Sequence, residues 1–268
     1  MAGCFGVCIR DISLHCMANG KKFEFRQFSL SQDHCAMPIG TDGVLLGAWA
    51  RPDESDAKTM ILDVGCGCGL IGLMLAQRYP NANIIGIDID SEAVSTATNN
   101  ALLSPFCSRV KFYKCDIMQP DSRLLEQKFD LIVSNPPFFS NGVCAPDTKR
   151  AQARHQSEGF GIDSLMDVAF SSLLGENASL ALVTPFDQLD RMRLHAVKSG
   201  FELSRLTSVC TKEGKSPKRC LTQWRRVDLS ALPVSDQPLC ILDKNGCYSD
   251  QYKTLTEEFY LPSHFDKK

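Results

Sequence analysis

The sequence predicts an α/β fold: an open, mostly parallel sheet with helices on both faces. Three observations predict it. Short apolar runs alternate with helical segments from about Met60 to Pro185, the spacing of βαβ units. The runs themselves read as buried strands. A glycine-rich turn follows the first of them, where such sheets meet a ligand.

The elements follow in order. "MILDVGCG" reads as a buried strand entering that turn, and "LIGLMLAQRYP" as a helix stopped by Pro80. "ANIIGIDID" is a second strand, and "SEAVSTATNNALLSP" a helix with Ser91 as its N-cap. "VKFYKCDI", "FDLIVSNPP" and "ASLALVTP" are the third, fourth and fifth strands, the last preceded by the helical "SLMDVAFSSLL". Beyond Phe201 the pattern is patchier, with "TKEGKSPKR" as a charged loop between strand-like segments. Residues 1–20 read as an extension outside the fold, with Met17 as a candidate start. Residues 21–262 read as one domain with a cap segment over 21–58, and 263–268 as a tail.

A chain of 268 residues, 44% hydrophobic and 22% charged, suffices for one sizeable core with an appendage. The formal net charge of -2 excludes a globally basic surface, so any nucleic-acid contact must be local. Thirteen cysteines are scattered without framework spacing, which predicts thiols in a reducing cytoplasm. No run reaches the length of a membrane span, and the N-terminus lacks the plan of a signal peptide. His34, beside Asp33 and Cys35, has no second ligand at metal spacing, so no metal is expected. A monomer is the expected state.

"LDVGCGCGLIG" carries the cofactor signal. Gly65, Gly67 and Gly69 let the backbone turn tightly and approach a ligand closely. Gly67, Gly69 and Gly72 also satisfy the dinucleotide pattern. Asp88, 21 residues after Gly67 and beside Ile89, is placed for ribose hydroxyls and serves NAD or S-adenosylmethionine equally. Asp63, just before the turn, suits the amino group of a methionine moiety rather than a pyrophosphate. Asp116, beside Ile117, ends the third strand where it can accept from an adenine amine. Together with the loop backbone at Cys66, these residues favour S-adenosylmethionine.

The fourth strand ends in "SNPPFF". An exocyclic aromatic amine is a poor nucleophile, because its lone pair is delocalised into the ring. Two acceptors, the side-chain oxygen of Asn135 and the carbonyl of Pro136, would draw the amine toward tetrahedral geometry and aim it. Asn135 precedes a proline and is kept out of the α region. Pro137 stiffens the next step, and Phe138 can stack on a base. Phe139 is equally suited to the core.

These residues carry a resemblance. "LDVGCGCG…GIDID…CDI…SNPPF" resembles the class I S-adenosylmethionine-dependent methyltransferases that modify exocyclic or amide nitrogens. That subgroup includes adenine-N6 DNA and RNA enzymes, guanine-N2 rRNA enzymes and glutamine-N5 release-factor enzymes. "FRQFSLSQDHCAMPIGTDGVLLGAWA" and the closing "YSDQYKTLTEEFYL" are similar to the bacterial tRNA adenine-N6 methyltransferases acting at position 37 of valine tRNA. The resemblance runs from about Lys22 to Leu261 and implies a Rossmann-like fold with a mostly parallel seven-stranded sheet. It implies methyl transfer to a tRNA adenosine, with Asn135, Pro136, Pro137 and Phe138 at the acceptor. Phe138 stands where the family often has tyrosine, which keeps stacking and removes a hydroxyl. Thr41 and Asp42 match the family's Gly-Thr-Asp turn and are candidate cofactor contacts; they also suit the capping of the following helix. A glutamine-N5 enzyme would carry a larger N-terminal domain than the first 58 residues allow. A silent RNA-binding adaptor would not need Asp63, Gly65, Asp88, Asp116 and Asn135 together.

Two basic stretches could meet RNA phosphates. Lys149, Arg150 and Arg154, with His155, follow the acceptor motif. Lys218 and Arg219 lie in "KEGKSPKRCLTQWRR", whose Trp224 alternates like a core strand residue.

Overall fold

The computed structural model describes residues 22–33, 39–53, 58–137, 161–228 and 234–266 of the chain. Phe138, Lys149, Arg150, Arg154 and His34 lie outside the described residues, as does the predicted extension.

The first described strands, β1 (Phe23–Glu24) and β2 (Ser29–Leu30), form an antiparallel hairpin, and helix α1 spans Thr41–Trp49. Then come β3 (Met60–Val64), α2 (Leu70–Arg78), β4 (Asn83–Asp88), α3 (Ser91–Leu102) and β5 (Val110–Lys114). A short helix α4 (Ser122–Leu125) leads into β6 (Phe129–Ser134). Helix α5 (Ile162–Val168) continues as one π-helical turn into β7 (Leu174–Pro185). Helix α6 (Leu189–Lys198), strands β8 (Phe201–Lys212), β9 (Arg219–Arg226) and β10 (Leu239–Leu242), and helix α7 (Asp250–Thr256) complete the chain.

Apart from that hairpin, strands β3 to β10 form one eight-stranded sheet in the order β10-β8-β9-β7-β6-β3-β4-β5. Strand β9 is antiparallel to both neighbours, and the other pairings are parallel. The family resemblance implies seven strands. The eighth, β10, adds to the free edge of β8, and its four residues are too short a run to read as a strand unaided. Across that edge Cys210 and Cys240 are register partners joined as a disulfide, where the sequence predicts thiols. Their sequence separation of 30 hides a juxtaposition that only strand register creates. Cys66, Cys68 and Cys220 are buried, and Cys220 keeps its thiol, as expected.

Because successive side chains alternate faces, each central strand feeds two cores. Ile61, Ile84, Leu131 and Val133 face α1, α2 and α3, while Leu62, Ile85, Ile87 and Ile132 face α4, α5 and α6. Trp224 is fully buried in the second core, as its alternation predicts, and donates Nε1–H to Thr222 Oγ1. Two residues of the predicted tail, His264 and Phe265, pack on aromatic rings. His264 stacks on the Tyr260 ring at 3.7 Å between centroids, and Phe265 lies edge-on to Tyr248 and Tyr260.

Helix α3 is capped by Asp90, whose Oδ1 accepts from Glu92 N–H at 2.8 Å; Ser91 is the first helical residue, not the cap. Aspartate and serine cap about equally well, so composition alone does not choose the register. Gly40 is the N-cap of helix α1 and there is no side-chain cap, so Thr41 and Asp42 do not perform the capping suggested for them.

Strand β4 passes so close to the Phe112 ring that a Cβ at Gly86 would overlap it. Gly86→Ala should therefore cost about 1–3 kcal/mol through overpacking. The check is a lower urea midpoint at unchanged slope; an unchanged midpoint would show that the ring simply moves aside.

Candidate active site

In a parallel sheet the carboxyl ends of the strands share one edge, and the chain reverses direction across the sheet beside β3. Strands β4 and β5 lie to one side of it and β6 and β7 to the other. Ligands bind at such a switch point. Every described residue predicted for cofactor or amine lies along this edge or on the segment that abuts it.

The glycine-rich turn leaves β3 at Val64. Gly65, Gly67 and Gly69 have φ of 71°, 54° and 85°, the left-handed region that side chains with a Cβ enter at a cost. Outside Gly65 and Gly67 nothing lies within 4 Å of where a Cβ would be, so the turn presents bare backbone to an open cleft. Its donors face inward. The N–H groups of Gly65 and Cys66 both donate to Ile87 C=O, that of Gly69 to Cys66 C=O, and that of Gly67 to Asp88 Oδ2. A pyrophosphate is held by outward-facing N–H groups at such a turn, and these four are committed elsewhere. The arrangement fits an uncharged ribose link better than a dinucleotide. Cys66 itself is buried, so its side chain packs inward and only its backbone borders the cleft.

Asp63 faces α2 and is wholly buried. Gly69, the N-cap of α2, has no side chain to satisfy the first-turn amides. Asp63 does so from the neighbouring strand: its Oδ2 accepts from Gly72 N–H at 2.9 Å, and its charge sits at the positive end of the helix dipole. Its Oδ1 is buried with no hydrogen-bond partner among the described residues. Burial pushes the carboxyl up to about 7, the Gly72 N–H opposes this, and the charge of Asp88 adds to it. An orphaned carboxylate oxygen beneath the turn is what a cationic ligand group would satisfy.

Asp88 ends β4 half-buried. Its two oxygens accept from Gly67 N–H (2.9 Å) and Asp90 N–H (3.0 Å). Both bonds fix the carboxylate plane and leave lone pairs for two hydroxyls. Burial raises its pKa, and those backbone donors counter the rise. Ile89 beside it is 43% exposed, an apolar side chain left for a ring to cover. At the end of β5, Asp116 Oδ1 accepts from Met118 N–H at 2.9 Å, and Ile117 is buried next to it.

The acceptor motif leaves β6 at Ser134, the register partner of Val64. Ser134 Oγ donates to Val64 C=O at 2.8 Å, which ties the two strand ends exactly where turn and motif begin. Asn135 is half-buried, Pro136 buried and Pro137 exposed. From α1, a Cβ at Gly43 would meet Leu70 at 3.0 Å and the Asn135 Nδ2 at 3.9 Å, so the start of α1 borders the asparagine. Thr41 is exposed at that border. Asp42 instead pairs with Arg219, Oδ2 to Nε at 2.9 Å. Arg219 opens β9 at the same edge, opposite Pro185, so this predicted phosphate contact holds α1 in place. Lys218 is exposed beside it. Among the described residues no group of three His, Cys, Asp or Glu side chains could hold a metal ion, and no helix is long and apolar enough to cross a membrane.

Sequence reasoning overlooked three site residues. Ser134 reads as a strand terminus, and Thr96 and Asn100 as polar positions of a helix, yet all three are buried and hydrogen-bonded around the site. Their signal was faint: polar residues at positions that periodicity assigns to the core.

A family model described as a methyltransferase domain matches residues 55–184. The chain is 46% identical over 246 residues to the tRNA1(Val) (adenine(37)-N6)-methyltransferase of Porphyromonas gingivalis, covering 90% of this chain and 95% of that one. It is 37% identical to the protein of the same name from Histophilus somni, over 91% and 99% of the two chains. For the Bacteroides fragilis protein of that name the values are 39%, 89% and 97%. A solved structure of a predicted O-methyltransferase from Agrobacterium tumefaciens superposes with a TM-score of 0.60 at 17% identity, covering 81% of this chain and 96% of that one, a likeness of fold alone.

The state of Asp63 sets a pH dependence. Its folded pKa of about 7 lies above the ordinary 3.8, so between those values the folded chain binds the extra proton and stability falls as pH rises. The thermal midpoint of the cofactor-free protein should drop between about pH 5.5 and pH 8. In Asp63→Asn that drop should shrink. An equal drop in both proteins would show that Asp63 does not titrate in this range.

Proposed function

Since the chain belongs to the tRNA1(Val) (adenine(37)-N6)-methyltransferase family, we propose that it methylates the exocyclic N6 of a tRNA adenosine, position 37 of valine tRNA, using S-adenosylmethionine. The single observation that carries the chemistry is the adjacency fixed by Ser134 and Val64: a cofactor turn and an Asn-Pro-Pro acceptor at neighbouring strand ends.

The cofactor supplies an electrophilic methyl group on a sulfonium. Asp116 and Ile117 would take its adenine, Asp88 its ribose hydroxyls, with Ile89 against the ring. The turn from Gly65 to Gly69 would border its middle. Asp63 Oδ1 is suited to an ammonium, which would lower the carboxyl pKa and relieve the buried orphan. The strands from β5 to β6 span three spacings, roughly 14 Å, so these contacts lie in line toward Asn135.

At the acceptor, Asn135 Oδ1 and Pro136 C=O would each accept one N–H of the adenine amine. That pulls the nitrogen toward tetrahedral geometry and frees its lone pair from the ring. Neither an amide nor a peptide carbonyl can keep a proton, so the proton lost from N6 passes to solvent at the exposed side of Pro137. Phe138 remains the proposed stacking partner. For the tRNA backbone, Lys218 and Lys215 are exposed in the β8–β9 turn at this same edge. Strand β9 lies two spacings from β6, roughly 10 Å, within reach of phosphates flanking a flipped adenosine. Lys149, Arg150 and Arg154 are proposed for the same task from sequence.

Labelled methyl transfer to total tRNA from cells lacking the gene, with product nucleosides identified by mass spectrometry, tests the reading. N6-methyladenosine in a valine tRNA is the expected result; label in release-factor protein alone would refute it. Asn135→Ala should lower kcat by about 100-fold or more and leave the cofactor Kd within about threefold. Lys215→Ala with Lys218→Ala should weaken tRNA binding and reduce the salt slope by about one or two, as read by filter binding across salt.

A further inference from the structure

The chain ahead of α1 is fastened to the cofactor side of the sheet by polar residues of α3 that belong to no motif. Asn100 is 2% exposed. Its Nδ2 donates to Ser31 C=O at 3.0 Å and to Cys68 C=O at 2.9 Å, and its Oδ1 accepts from Ser31 N–H at 2.9 Å. One amide thus pairs both backbone polar groups of Ser31 and holds the glycine-rich turn by a third bond. One helical turn earlier, on the same face, Thr96 Oγ1 donates to Asp33 C=O at 2.8 Å. Ile39 N–H donates to Gln32 Oε1 at 2.7 Å, which ties the fastened stretch to the residues entering α1. The far end is held by Asp42 and Arg219, where Gly43 borders Asn135.

We propose that Asn100 is a positioning residue for cofactor binding, locking Ser31–Asp33 and the turn at Cys68 into one unit. The inference rests on the reading that the chain binds S-adenosylmethionine. Through it the shape of the turn depends on the seating of the N-terminal segment. The chemistry requires asparagine, because two donors and one acceptor must converge on two carbonyls and one N–H. An aspartate in its place would face two carbonyl oxygens with acceptors only. Thr96 secures the same segment without touching the turn, so the two residues separate seating of the segment from direct support of the turn.

The test is calorimetric binding of S-adenosylhomocysteine, with kcat and both KM values, for the full chain, Asn100→Asp and Thr96→Val. Thermal midpoints are recorded alongside, and the shape-conserving Thr96→Val keeps the test valid if Asn100→Asp does not fold. Asn100→Asp should weaken binding and raise the cofactor KM about tenfold, with kcat and the tRNA KM within about twofold. Thr96→Val should shift binding about threefold in the same direction. Unchanged binding in both variants would overturn the proposal. Weakened binding in Asn100→Asp with none in Thr96→Val would also overturn it, because Asn100 would then act on the turn alone. Loss of kcat at unchanged binding would do the same. A wild-type chain that binds no S-adenosylhomocysteine would remove the cofactor reading itself, and the inference with it.

Discussion

The site depends on the register between β3 and β6. Val64 opposes Ser134, and the serine hydroxyl closes on the valine carbonyl at 2.8 Å. A slip of one residue would turn every side chain of β6 to the other face, sending Ile132 and Val133 into the wrong cores. Hydrophobic burial on both sides therefore fixes the register. The register in turn sets where the glycine-rich turn and Asn135 stand relative to each other. Core packing and catalytic geometry are thus one constraint.

Around that constraint the molecule places polar groups where an apolar core would be more stable. Asp63 is the clearest. Its burial is costly, and the helix terminus of α2 offsets only part of the cost. Its Oδ1 is left buried without a hydrogen-bond partner among the described residues. Asp88 is treated differently: two backbone donors hold it ready while it stays within reach of solvent. Burial and hydrogen bonding, rather than residue type, thus set the two carboxylates apart, and on the proposed function one would receive an ammonium and the other hydroxyls.

Much of this was legible in the sequence because strand alternation and motif spacing are local signals. The runs at Ile61, Ile84 and Leu131, the turn at Gly65 and the carboxylates at strand ends all fall where read. Three things were not legible, each because it depends on contacts distant in sequence. Strand β10 and the Cys210–Cys240 pair exist only through pairing with β8. The ion pair of Asp42 with Arg219 of β9 joins residues 177 apart, which no local pattern signals. Asn100 looked like an ordinary polar helix position, though its three bonds reach segments 69 and 32 residues earlier. His264 and Phe265 read as part of a tail because their packing is aromatic contact with Tyr260 and Tyr248 rather than a periodic pattern.

On the proposed function, neighbouring strand ends place Asn135 and Pro136 to orient an amine held in line with the cofactor. A crystal structure of the chain with S-adenosylhomocysteine and a valine-tRNA anticodon stem-loop tests it most directly. The expected result is the N6 of the target adenine about 2.7–3.2 Å from both Asn135 Oδ1 and Pro136 C=O, with the ribose hydroxyls on Asp88. An adenine amine held by other groups, with Asn135 turned away or the cofactor bound off the Gly65–Gly69 turn, would contradict it.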